Sequence, residues 1–242
     1  MLILYGIVVG FLAGFFGVGG GMVLVPILLY SGYVIKEAIS ISIVQMFFSS
    51  IFGSIISFKH FKLKLKYALT VGLGGFVGAI NSALVVSYLD ETVLQYLFVV
   101  VVLVSIFIVV FKKQKYETNK EKNLLWLFVV SMFIGLFFIS LGIGGAILLT
   151  PFLMLYLNID LKLSSSYGLF FVMFSSTAGL ISQYLYLDFL SLDGVVIGLS
   201  SLVGVYVGVT IKKSLDIKKF GNYIIFLYIF VLIAMIFKLN MG

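Results

Sequence analysis

Apolar residues run in long blocks along this chain, and polar residues gather in short clusters between them. Blocks near 39–57, 67–88 and 92–111, and again near 164–184, 192–210 and 220–239, have the length of membrane-crossing helices. A run of about 18 apolar residues or more suffices to cross a hydrocarbon core of about 30 Å. Two further blocks, 2–31 and 124–157, are just as apolar but are interrupted by glycine clusters, Gly17-Val-Gly-Gly-Gly21 and Gly142-Ile-Gly-Gly145. The pattern predicts an all-α polytopic membrane protein, a single membrane domain over 1–242.

The blocks come as two copies of one unit. GVGGGMVLVPIL from Gly17 returns as GIGGAILLTPFL from Gly142, with Pro26 answering Pro151 at an offset of 125. Further on the offset is 126: Ser50-Ile-Phe-Gly53 matches Ser176-Thr-Ala-Gly179, Gly72 matches Gly198, and Gly78 matches Gly204. Repeat one is read as 1–111, a charged linker as 112–123, and repeat two as 124–242. In the third helix of each unit, Gly74 and Gly78, then Gly194, Gly198, Gly204 and Gly208, fall at spacings that let helix backbones approach closely. Such a face packs helices within a chain, and it also leaves a homodimer open.

Charge gives the units a direction. Lys59, Lys62, Lys64 and Lys66 occupy a loop whose counterpart holds Asp188 and Asp193. Asp90 and Glu91 occupy one whose counterpart holds Lys212, Lys213, Lys218 and Lys219. Lysine-rich short loops stay in the cytoplasm, so the repeats are expected to be inverted. If each Gly-broken block dips in and returns as a re-entrant hairpin, each repeat adds three full spans. The three basic loops, holding every lysine but Lys36, Lys162 and Lys238, then share one side. Full crossing by the broken blocks would split them. The expected fold is therefore two inverted repeats, each a re-entrant helical hairpin plus three transmembrane helices, with both termini outside the cytoplasm.

Composition removes whole classes of function. With 62% apolar and 10% charged residues the chain has no surface for water, since soluble domains carry roughly 25% charged residues. The net charge of +7 is all lysine, placed where topology signals sit, so no nucleic-acid partner is expected; the lipid bilayer is. The chain holds no cysteine, hence no disulfide or thiolate metal site. The start, MLILYG, lacks the basic segment of a cleaved signal peptide. None of the nine acids lies centrally in a span, and His60 sits in a lysine-rich loop. No metal-ligand set, nucleophile–base pair or nucleotide-binding loop is present, so neither a catalytic residue nor a cofactor is expected. The abundance of Lys, Ile and Phe suggests a prokaryotic inner membrane.

What remains is neutral chemistry. A helix break inside a membrane is tolerated where its freed amides face protein or a water-filled cavity. The residues after each break start a new half-helix whose N-terminal N–H groups and dipole favour an anion. Two such starts from inverted repeats, meeting near the midplane, make a transport site. Candidate substrate-binding residues are Gly17, Gly19, Gly20, Gly21, Gly142, Gly144 and Gly145, with Ser42, Gln45, Ser49, Ser50, Ser175, Ser176 and Thr177 as polar donors within the spans. Ser49 and Ser50 align with Ser175 and Ser176, so paired hydroxyls could reach an oxyanion from two sides. Asn81 and Gln183 are the remaining polar span residues singled out.

GFLAGFFGVGGGMVLVPIL, repeated as GLFFISLGIGGAILLTPFL, resembles the signature of the sulfite exporter TauE/SafE family, also called the toluene sulfonate uptake permease group. The resemblance covers nearly the whole chain, including Lys36–Ser42 after the first break. It implies a permease for small sulfur-containing anions or organic carboxylates and sulfonates, such as sulfite, thiosulfate or sulfoacetate. The Gly-rich breaks and Ser42 fit the family pattern; Gly168 at the counterpart of Ser42, and Ala146 in place of the last glycine, depart from it. A thiosulfate relay through cysteines has no support in a cysteine-free chain. The expectation is a secondary transporter working by alternating access on a small anionic substrate. A passive anion channel and a non-transporting assembly subunit are the alternatives.

Overall fold

A computed structural model of the chain describes residues 1–111, 123–187 and 191–241. Most of the charged linker, the loop acid Asp188 and their neighbours lie outside the described residues. The described chain is all helix: α1 (Leu2–Phe16), α2 (Gly21–Tyr30), α3 (Ile35–His60), α4 (Leu65–Ala79), α5 (Ser82–Tyr88), α6 (Glu91–Phe111), α7 (Leu124–Ser140), α8 (Ala146–Tyr156), α9 (Leu161–Leu187), α10 (Leu192–Ser214) and α11 (Ile217–Met241). Six stretches are long and apolar enough to cross a membrane: Ile35–His60, Leu65–Tyr88, Glu91–Ile108, Leu161–Tyr186, Leu192–Ser214 and Phe220–Leu239. They coincide with the six unbroken blocks of the sequence.

Several starts follow ordinary capping chemistry. The Asn123 side chain accepts from the Leu125 and Trp126 amides at α7, Asp160 from Leu163 at α9, and Ser191 from Gly194 at α10. α2 and α8 instead begin at Gly20 and Gly145, which offer no side chain. Each carries an internal proline, Pro26 or Pro151. A proline leaves the carbonyl four residues earlier without its amide. For Pro151 that carbonyl belongs to Ile147, and the Tyr228 hydroxyl from α11 donates to it at 3.1 Å.

One span differs from expectation. The helix predicted over 67–88 is interrupted at Ile80-Asn81, between α4 and α5, whereas its counterpart α10 is continuous. The freed backbone groups find hydroxyls on neighbouring helices: the Ala83 amide donates to Ser182 Oγ (3.0 Å), and Ser140 Oγ donates to the Ser82 carbonyl (3.1 Å). Asn81, expected inside the span, is exposed at this break.

The four short helices form two hairpins whose ends return to where they began. Tyr5 Oη at the start of α1 lies 3.3 Å from Ser31 Oγ just past α2, and Tyr156 Oη at the end of α8 donates to the Asn123 carbonyl before α7 (3.0 Å). Each hairpin lies against a helix from the other half of the sequence. Gly6, Gly10 and Gly14 of α1 touch Ser200, Ser201 and Val205 of α10, in parallel order. Gly74 and Gly78 of α4 touch Phe128 and Met132 of α7, again in parallel. The glycine faces noted in the sequence are thus filled within the chain. Between the hairpins, α3 and α9 run antiparallel: Ser40 meets Gln183, Ile43 meets Gly179, and Gly53 meets Leu169.

Candidate functional site

The two breaks share a local design. α1 ends at Gly17, in the left-handed region (φ 74°), whose amide donates to the Ala13 carbonyl at 2.8 Å. At the end of α7 the Gly142 amide donates to Ile139 (2.9 Å) and the Ile143 amide to Phe138 (3.1 Å). Gly20 (φ 87°) and Gly145 (φ 65°) then turn the chain into α2 and α8. A side chain in this backbone region would cost about 1–2 kcal/mol, which explains glycine here. The consequence is electrostatic. One turn bond, to Ala13, ends α1 and two end α7, while the starts of α2 and α8 have no side-chain cap. The first amides of a helix have no acceptor within it, and the dipole adds partial positive charge there.

The breaks lie against one another, wholly buried. Gly21 abuts the Gly142 carbonyl, and a methyl on Gly144 would sit 3.1 Å from the Val18 carbonyl. Hydroxyls of α3 tie both breaks down: Ser42 Oγ donates to the Gly142 carbonyl (2.8 Å), and Ser49 Oγ reaches the Gly19 carbonyl (3.2 Å). The sulfur of Met46 stands between them, 2.8 Å from where a methyl on Gly21 would fall and 2.6 Å from one on Gly144. Gln45 completes this wall. Its side chain is fully buried, yet neither its Nε2 nor its Oε1 has a hydrogen-bond partner. Both atoms face the turn into α2, at 2.9 Å (Oε1) and 3.1 Å (Nε2) from where a methyl on Gly20 would lie. Leaving a buried amide unpaired costs about 1–3 kcal/mol, so an unpaired amide beside uncapped amides reads as a group waiting for a ligand.

The departure at Gly168 has a local reason. A methyl there would lie 2.8 Å from the Gly17 carbonyl and 3.1 Å from Thr150 Oγ1. The absent side chain lets break one approach α9, as Ser42 reaches break two. Thr150 Oγ1 is buried and unpaired, which adds a residue that the sequence reading passed over. Its signal was there: it is the lone hydroxyl in the run AILLTPFL.

The structure gathers Gly17, Gly19, Gly20, Gly21, Gly142, Gly144, Ser42, Gln45 and Ser49 in one place. Gly145 turns instead toward Phe171 and Ile134. Ser50, Ser175, Ser176 and Thr177 donate to backbone carbonyls of their own helices. Thr177 also lines an apolar groove of about 560 Å³ with Phe47, Phe174 and Leu73. A second groove, about 460 Å³, is lined by Phe11, Phe15, Phe16, Phe226 and Phe230 and offers no donor to an anion.

Lys212 departs from its expected place. Grouped with loop lysines in the sequence, it lies in the last turn of α10 and is fully buried. It falls four residues after Gly208, on the face that packs against α1, and that spacing was the readable signal. Its Nζ donates to Ser165 Oγ (3.3 Å) and Ser166 Oγ (3.2 Å), and stands 5.1 Å from the Phe61 ring centre.

The chain is 30% identical over 165 residues to "Probable membrane transporter protein MJ0441" of Methanocaldococcus jannaschii, covering 63% of this chain and 60% of that protein. It therefore spans less than two thirds of that relative's length. It is 26% identical over 220 residues to "Probable membrane transporter protein YdhB" of Bacillus subtilis, covering 86% and 88% of the two. No solved structure matches. The family described as Sulfite exporter TauE/SafE matches residues 2–236, nearly the whole chain, and with six membrane-crossing stretches the protein belongs to this family of multi-pass membrane transporters.

Proposed function

We propose that the protein is a secondary permease for a small anion, bound where the two glycine breaks meet. The observation that carries this reading is the buried, unpartnered Gln45 amide beside the uncapped start of α2. The uncapped start of α2 and Gln45 Nε2 offer donors there, and the helix dipole adds positive charge, which favours an anion over a cation. Ser42 and Ser49 hold the breaks in register, and Thr150 supplies a further hydroxyl. The family suggests sulfur-containing oxyanions, organosulfonates or carboxylates, with sulfite and sulfoacetate as first candidates.

The architecture behind this site is two inverted repeats, 1–111 and 124–242, each a re-entrant hairpin with three spans. Three observations support it. The hairpin ends return to one another, equivalent helices α3 and α9 run antiparallel, and α1 on α10 mirrors α7 on α4. The breaks are occluded, so transport requires them to open to each side in turn. Rocking one repeat against the other does this around a fixed site.

The test is thermal stability of the purified protein against a panel of small anions, cations and neutral solutes. A ligand of the folded state raises its apparent stability by mass action. A selective rise with one anion class supports the reading and names the substrate; a rise with cations alone sinks it.

A further inference from the structure

We propose that Lys212, with Ser165 and Ser166, forms a second anion station between the glycine breaks and the lysine-rich end of the protein. The station rests on the anion-permease reading above and adds a binding step to it. Lys212 is the feature of the fold that the break site leaves unexplained. It is a fully buried lysine that forms no ion pair with any carboxylate among the described residues. The charged groups that act on it, Lys162 and Asp160, oppose one another. Asp160 is already engaged as the cap of α9, and Lys162 donates to the Lys213 and Leu215 carbonyls at the end of α10. Two hydroxyls and one aromatic face compensate an ammonium only in part.

Position tells what the charge is for. The Ser165 carbonyl lies directly against Gly17, so the Lys212 side chain, the two hydroxyls and the first break are joined by consecutive contacts. The hydroxyl of Ser164, on the same turn, is buried and unpaired. An oxyanion leaving the breaks on this side would meet a cation, two hydroxyls in reach of it and a free third. Among the described residues, the other end of the molecule has no buried lysine. At the same offset of 126, Val86 stands where Lys212 does and Ser40 where Ser166 does. There Ser40 accepts from the neutral Gln183 amide at 3.1 Å. The two ends of the pathway therefore differ, and the anion rests longer on the Lys212 side.

The chain has no cysteine, so one introduced thiol reports on this spot without background. Ser166→Cys protein in liposomes is treated with an anionic, sulfonate-bearing methanethiosulfonate and with its cationic, trimethylammonium-bearing analogue; Ser165→Cys serves as the second position. The station predicts at least tenfold faster reaction with the anionic reagent. Lys212→Gln on the same background brings the two rates within twofold, Lys212→Arg retains the preference, and methanesulfonate slows the anionic reaction. Equal rates with Lys212 present, a preference untouched by Lys212→Gln, or no reaction at either position overturns the station. The readout needs no transported substrate. Charge-selective labelling in a protein that carries no anion overturns the permease reading and keeps the station. Anion flux without selectivity does the reverse.

Discussion

Replacing Gln45 with leucine separates a residue kept for packing from one kept for a ligand. The side chain is fully buried and both amide atoms are unpaired. Leucine has a similar volume, so the cavity term is small and the change in polar burial decides the sign. An unpaired buried polar group costs about 1–3 kcal/mol in general. Side-chain hydrogen bonds inside membrane proteins average nearer ~0.6 kcal/mol, because the unfolded state also finds partners. The net expectation for Gln45→Leu is therefore stabilisation of the ligand-free protein by about 1–2 kcal/mol. At roughly 2–4 °C per kcal/mol for a chain of this size, the midpoint rises by about 2–8 °C. The same substitution removes a donor to the anion and weakens binding about tenfold, a loss near 1.4 kcal/mol. Thermal unfolding in detergent, with and without the anion found in the panel, measures both quantities in one experiment. A lower midpoint with unchanged affinity would show that Gln45 is a structural residue, and the anion assignment would lose its main support.

Other substitutions probe the same geometry. A methyl on Gly21 would collide with the Gly142 carbonyl and lie 2.5 Å from Ser42 Oγ, so Gly21→Ala is expected to cost about 3 kcal/mol or more, read as lost folded yield. Gly32, at φ 95° with open space around it, is the control: Gly32→Ala costs only the backbone strain of about 1–2 kcal/mol and leaves anion binding intact. Ser49→Ala removes a hydroxyl that bridges to break one and should weaken binding about fivefold, ~1 kcal/mol, whereas Ser175→Ala, whose hydroxyl serves its own helix, changes it less than twofold; titration calorimetry distinguishes them. Single cysteines at the exposed Lys62 and Lys213 label from one face of the membrane and one at Glu91 from the other; labelling of Lys62 and Lys213 positions from opposite faces would refute the inverted topology.

The sequence and the structure part at definite residues. Six membrane-crossing stretches were legible because length and apolarity alone set them, and the breaks because glycine clusters have few uses within an apolar run. The interruption at Ile80-Asn81 was not legible: no proline marks it, the nearby Gly78 packs against α7, and hydroxyls from Ser140 and Ser182 on other helices stabilise it. The glycine faces of α4 and α10 announced close packing but not their partners, since small residues fit any backbone of matching shape. That α7 and α1, distant in sequence, fill them is a tertiary fact. Gln45, Ser42 and Ser49 were found by polarity within a span; their approach to the breaks depends on which face of α3 turns inward. Lys212 reads as a loop residue because the same residue type marks cytoplasmic loops, and its lysine neighbours mask the four-residue step from Gly208.

The most direct test is flux of the anion identified by thermal shift, measured in liposomes holding the wild-type protein or Gln45→Leu. The account predicts saturable anion transport by the wild type and its loss in a Gln45→Leu protein that is at least as stable. Transport that does not saturate would mark a channel. Transport that survives the substitution, or a wild type that carries cations and no anion, would contradict the assignment of the glycine breaks as an anion site.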